Sequence, residues 1–235
     1  MAKKKKKSNN MVDRYHGPLI ENEVVLGYIK LVPWFTLVIS GMIFWVMTIG
    51  NWTDVYRTLF EVCIYYSAFA IVISFFDKFI LKFKIFVYLL ISLIFVVLTI
   101  DISCINLLLI SQGGLSSEMM VVCVYIAIGL FLIFSFVYAW YYLPKNQGKI
   151  WAINQWETYE KLLKNKKLMK FLKPLPVVAF VLIVIAVLSG HENYIECVFG
   201  VLNGILDLFA FPALVVDAIY GAIYISGNPS YDELK

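Results

Sequence analysis

A chain of 235 residues that is 61% hydrophobic, only 15% charged and +4 at pH 7, with a mean hydropathy of +0.81, is too apolar for a water-soluble domain. Soluble domains are about half apolar, in patterns that leave a polar face. Here the apolar residues come in long blocks, and the cations lie spread along the loops between them, which argues against a nucleic-acid-binding surface.

The blocks run 32–50, 58–76, 85–108, 119–142, 175–190 and 195–226. Crossing about 30 Å of hydrocarbon takes about 20 apolar residues. None of the blocks shows the period-2 alternation of a membrane barrel, and backbone groups in lipid must be paired internally. The expected fold is therefore all-α: a polytopic helical membrane protein with about six transmembrane helices. It divides into a basic N-terminal tail (1–30), a six-span bundle (31–226) and a short C-terminal tail (227–235). The first block is read as a retained anchor. It starts well after the Lys3–Lys7 run and lacks the small-residue cleavage site of a signal peptide. The last block is longer than one crossing needs, so it is expected to tilt, kink at Pro212 or split into two pieces.

Orientation follows from charge. Every Lys and Arg except Arg57 falls in the N-terminal tail, the 77–84 loop, the 143–174 loop or the C-terminal tail. Basic loops stay in the cytoplasm, so both termini are expected inside, in what is read as the cell membrane. Trp34, Trp140, Tyr141 and Tyr142 would mark the inner interface and Trp52 the outer one. The Lys3–Lys7 run is read as a topology signal with affinity for anionic inner-leaflet lipid.

Between the fourth and fifth blocks, residues 145–173 interleave aromatics with lysines. Trp156, Tyr159 and Leu163 recur at helical spacing. The pattern predicts an amphipathic cytoplasmic helix lying in the interface. Trp151, Trp156, Lys164 and Lys167 are its candidate contacts, with lipid or with a cytoplasmic or membrane protein partner.

Ionisable residues inside spans are costly and usually face the bundle interior or a water-filled path. Asp101 lies in the third block, with Ser103, Cys104 and Asn106 following; Asp207 and Asp217 lie in the sixth. In that block Gly200, Asn203, Asp207, Ala210, Leu214, Asp217 and Gly221 recur at alternating spacings of three and four, one stripe of small and polar side chains. Such a stripe suits a helix–helix seam, in which small residues permit close approach and polar ones bond across it. It also suits a proton- or cation-coupled path through Asp207, Asp217, Asn203 and Asp101, with a backbone carbonyl freed by Pro212. A third possibility is a shorter span that leaves Asp217 in the cytoplasm.

Cys63, Cys104, Cys123 and Cys197 all fall near the outer ends of their blocks. They are either free thiols or, in an oxidising exterior, disulfides whose pairing the sequence leaves open. His16 and His191 lie on opposite sides of the membrane in this topology, and no nucleotide-binding, zinc-protease or serine-hydrolase motif is present. No metal, cofactor or enzymatic activity is therefore expected. Two functions remain: a transport or export component resembling a permease subunit in architecture alone, or a non-transporting interaction protein such as an assembly factor, immunity protein or regulator.

Overall fold

The computed structural model describes residues 24–49, 54–111, 114, 116–142 and 192–227. The described segments form six helices, and no strand occurs among them. In chain order these are α1 (Val24–Ile49), α2 (Asp54–Ser74), α3 (Asp77–Lys82), α4 (Lys84–Ser111), α5 (Ser117–Tyr142) and α6 (Glu192–Gly227). Five of them, all but α3, are long and apolar enough to cross a membrane. They match five of the six expected blocks. The 175–190 block, the 145–173 amphipathic segment and both tails lie outside the described residues.

α4 is the central helix. α6 packs along it most extensively, α1 packs on its other side, and α2 lies mainly against α1. The core consists largely of α4 side chains, among them Val87, Tyr88, Leu90, Ile91, Ile94 and Phe95, with Ala213, Val215, Val216, Ala218 and Ala222 of α6. A second, smaller cluster of Ile43, Met47 and Phe60 joins α1 to α2. α5 packs mainly against α6 and leaves most of its surface open, with Phe136 76% exposed and Tyr125 70% exposed. In water such a surface would be prohibitive, whereas against lipid it is ordinary.

The short connections are explained by local chemistry. Ser116 precedes α5, and its hydroxyl accepts the Met119 N–H at 3.4 Å, an N-cap. Gly114 supplies the positive φ (78°) that lets the chain reverse after α4, with its N–H donating to the Ser111 carbonyl. The 77–84 segment, read from sequence as a plain loop, contains the short helix α3. Asp77 stands in its first turn and Lys82 in its last, both favourable to the helix dipole. Ile80, completely buried, fastens α3 to the bundle.

The last block is one continuous helix. Its 36 residues reach about 54 Å at about 1.5 Å per residue, and Pro212 is accommodated inside it. It runs antiparallel to α4: Gly200 lies against Asn106, Leu109 and Ile110, while the Val215 carbonyl accepts the Ser92 hydroxyl at 3.3 Å.

Candidate functional site

The polar groups inside the spans sort into separate interhelical contacts. The densest joins the C-terminal half of α4 to the N-terminal half of α6. Asn106 Nδ2 donates to Asp207 Oδ2 at 2.8 Å. Asn203 Nδ2 donates both to Asn106 Oδ1 at 2.8 Å and to the same Asp207 oxygen at 2.9 Å. A carboxamide nitrogen carries two hydrogens and a carboxylate oxygen two lone pairs, so this three-residue ring closes without competition. Asn203 and Asp207, one helical turn apart on α6, both face the same residue of α4.

Glycine makes this approach possible. A Cβ on Gly200 would lie 2.7 Å from the Asn106 carbonyl oxygen and 2.9 Å from Leu109 Cβ, closer than real Cβ contacts occur. One turn on, Gly204 lies beside the Asn106 side chain with ordinary spacing, 3.7 Å at the nearest. In the N-terminal half of α6 the stripe is therefore a packed seam. The seam does not continue unbroken: Ala210 is exposed, and beyond Pro212 burial passes to a broader face that includes Val215, Val216, Asp217 and Ala218. The C-terminal half of α6 joins the main core cluster, which also holds Ile29 of α1 and Tyr138 of α5.

Asp101 belongs to a different interface. It is completely buried and faces α1, where Ser40 Oγ lies 2.7 Å from one carboxyl oxygen and 2.9 Å from the other. A hydroxyl has one hydrogen, so the Ser40 bond is shared between the two oxygens. Five residues separate Asp101 from Asn106, which at about 100° per residue turns them to well-separated faces of α4. Asp101 thus does not join Asp207 across a common path. Asp217 is buried in the C-terminal half of α6, within electrostatic reach of Tyr28 on α1. The expectation that Asp217 lies exposed through a misplaced span boundary is not met, because none of its surface is open.

Further polar contacts join the remaining helices. Thr36 and Ser67 hydroxyls meet at 2.8 Å between α1 and α2, and Tyr66 donates to the Leu90 carbonyl at 3.0 Å between α2 and α4. Tyr138 of α5 donates to the Phe209 carbonyl at 2.6 Å. Pro212 has no N–H for the Leu208 carbonyl and crowds that turn of the helix. The loosened stretch of backbone, expected as a possible ion ligand, has a tyrosine hydroxyl bound at the next carbonyl along.

All four cysteines are free thiols; Cys63 is buried and Cys104, Cys123 and Cys197 are partly so. Of the two alternatives the free-thiol one is found: Cys63 and Cys104 both lie near the buried Asp101, and Cys104 packs into the α1–α2 cluster. Among the described residues no group of three or more His, Cys, Asp or Glu side chains is placed to hold a metal ion. Trp151, Trp156, Lys164 and Lys167 lie outside the described residues.

A cavity of about 660 Å³ opens between α2, α4 and α5. Leu59, Phe60, Ile100, Leu107, Val124 and Phe131 represent its mostly apolar wall. Asp101, Asn203, Asp207 and Asp217 do not line it. The carboxylates and the open space are therefore in different places.

Sequence reasoning singled out Asn203 and Asp207 but missed the residues that hold the carboxylates in place. Asn106 was visible only as a polar neighbour of Asp101. Ser40 and Tyr138 stood in apolar blocks with no signal beyond their own hydroxyls. No family model, curated protein or solved structure matches this chain. The functional reading accordingly rests on its own residues.

Proposed function

We propose that this chain is a six-span protein of the cell membrane, with both termini in the cytoplasm, that works as a non-transporting interaction protein of the assembly-factor, immunity or regulator type. The sixth span is inferred from helix direction. α4 and α5 run antiparallel through the short turn at Gly114, and α6 runs antiparallel to α4, so α5 ends and α6 begins on opposite faces. The chain between them has to cross an odd number of times, and 175–190 is its one long apolar block.

The observation that carries the functional reading is the ring of Asn106, Asn203 and Asp207 beside Gly200. Its carboxylate is committed to helix packing, and the large cavity is apolar. An ion- or proton-coupled path needs its carboxylates facing open space, and here Asp101, Asp207 and Asp217 lie away from the cavity. The broad exposed surface of α5 is where such a protein would present itself to a membrane partner.

The test is affinity purification of the full chain in mild detergent, followed by native mass spectrometry and by cross-linking from a cysteine placed at Phe136. A stoichiometric partner that cross-links from α5 supports the proposal. A lone chain that moves a solute in proteoliposomes, and stops when Asp207→Asn is introduced, overturns it. That second outcome would establish the transport reading, whose support is that the half-buried Asp207 and the buried Asp101 and Asp217 stand at successive depths along the bundle.

A further inference from the structure

The corner between α2 and α4 carries a feature that the packing of the bundle does not use. Over residues 75–86 the sequence alternates aromatic and basic residues, Phe-Phe-Asp-Lys-Phe-Ile-Leu-Lys-Phe-Lys-Ile-Phe. Ile80 points into the core and is completely buried. Lys78 and Lys82, four residues apart on α3, share the opposite face and are exposed. The only acid in the segment, Asp77, is engaged by Lys30 of α1 at 3.0 Å. Among the described residues no other acid pairs with Lys78 or Lys82, so the corner keeps positive charge on its outward face.

The apolar residues around those lysines are exposed as well. Phe75 is 71% and Phe76 57% exposed, with Leu81, Phe83, Ile85 and Phe86 also open. Phe79 packs on Phe83 at 4.6 Å and on Phe86 edge-on at 5.9 Å, which stiffens the turn from α3 into α4. Lys82 Nζ lies 5.4 Å from the Phe83 ring centre, so its stem lies over apolar surface while its charge stays at the edge. Rings that enter hydrocarbon, with ammonium groups held just above them, are complementary to one kind of partner.

We infer that the α3 corner is a binding site for the headgroup of an anionic phospholipid of the same leaflet. Lys78 and Lys82 contact the phosphate, and Phe75, Phe76 and Phe83 lie among the acyl chains. A soluble acidic protein would satisfy the lysines but leave the phenylalanines in water, whereas a zwitterionic lipid would satisfy the phenylalanines without favouring the lysines. The Lys30–Asp77 pair fixes α3 against α1 and removes the acid that would repel a phosphate. This inference rests on the membrane placement of the helices and is independent of the choice between the partner and transport readings.

The test uses the full chain reconstituted in vesicles of equal parts phosphatidylglycerol and phosphatidylcholine, then released into mild detergent for native mass spectrometry. The wild type should retain phosphatidylglycerol over phosphatidylcholine. Lys78→Gln with Lys82→Gln should lower that retention several-fold, and Lys78→Arg with Lys82→Arg should preserve it. Replacing Lys3 to Lys7 by Gln should leave it in place. Equal retention of the two lipids by the wild type, or full retention by the double Gln variant, would overturn the inference. Both lysines are exposed, so their replacement leaves the fold intact, and an unchanged elution volume checks this.

Discussion

Gly200 of α6 sits so near Asn106 of α4 that a single added carbon would lie 2.7 Å from the Asn106 carbonyl oxygen. The obstacle is backbone, which cannot rotate out of the way. Gly200→Ala should therefore push α6 off α4 and cost about 1–3 kcal/mol, the usual range for overpacking. Gly204→Ala is the matched control. Its added carbon would meet the Asn106 side chain at ordinary distances, and the gain in helix preference should make it neutral or slightly stabilising. Thermal unfolding of the two variants in one detergent checks the contrast, and equal melting temperatures would contradict it.

The contrast between these glycines also indicates how far the sequence could be read. Alternating spacings of three and four placed Gly200, Asn203 and Asp207 on one face, because helical periodicity is a local property. The same arithmetic placed Ala210 on that face, yet Ala210 is exposed. Which neighbour meets each turn of α6 depends on how α1, α4 and α5 converge, and no spacing within α6 encodes that. The membrane class, the approximate bounds of α2, α4, α5 and α6 and the two polar residues on α6 were legible because hydropathy and periodicity suffice for them, whereas α1 begins at Val24, eight residues before its apolar block and inside the expected tail. Ser40, Asn106 and Tyr138 were not, because each matters only through a partner at least 61 residues away.

If the ring of Asn106, Asn203 and Asp207 is a seam, its strength is measurable as coupling. Asn106→Ala and Asp207→Ala should each destabilise the protein. The double variant should cost less than their sum by about 0.6–1.7 kcal/mol, the range found for hydrogen bonds between membrane helices. Asp207→Asn keeps an acceptor oxygen toward both carboxamides and should accumulate and melt nearly as the wild type does. Full additivity in the double-mutant cycle would mean that the two residues act independently, and the seam reading would fail.

The parallel course of α5 and α6 has a topological consequence. A membrane-impermeant maleimide applied to intact cells should label a cysteine placed at Asn193, at the start of α6, and spare one placed at Ser226, near its end. Both sites are exposed, so accessibility reports sidedness. The background should carry serine at the four native cysteines, which are free thiols and hold no cross-link that this would remove. Labelling of Ser226→Cys from outside would invert the orientation argued from the basic loops.

The contact between Ser40 and Asp101 separates a structural carboxylate from a merely tolerated one. Ser40→Ala removes the hydroxyl and leaves a completely buried carboxyl without that bond, at an expected cost of about 1–3 kcal/mol. Asp101→Asn retains an oxygen for the hydroxyl and should cost less. The informative variant removes both partners. In Ser40→Ala with Asp101→Leu nothing polar is left stranded at that contact, and an apolar pair of similar volume should recover most of the loss. Unfolding midpoints of the three variants should therefore rank the Ser40→Ala single variant lowest. If the double variant is instead the least stable, Asp101 contributes through contacts other than Ser40, and the α1–α4 interface depends on the carboxylate itself.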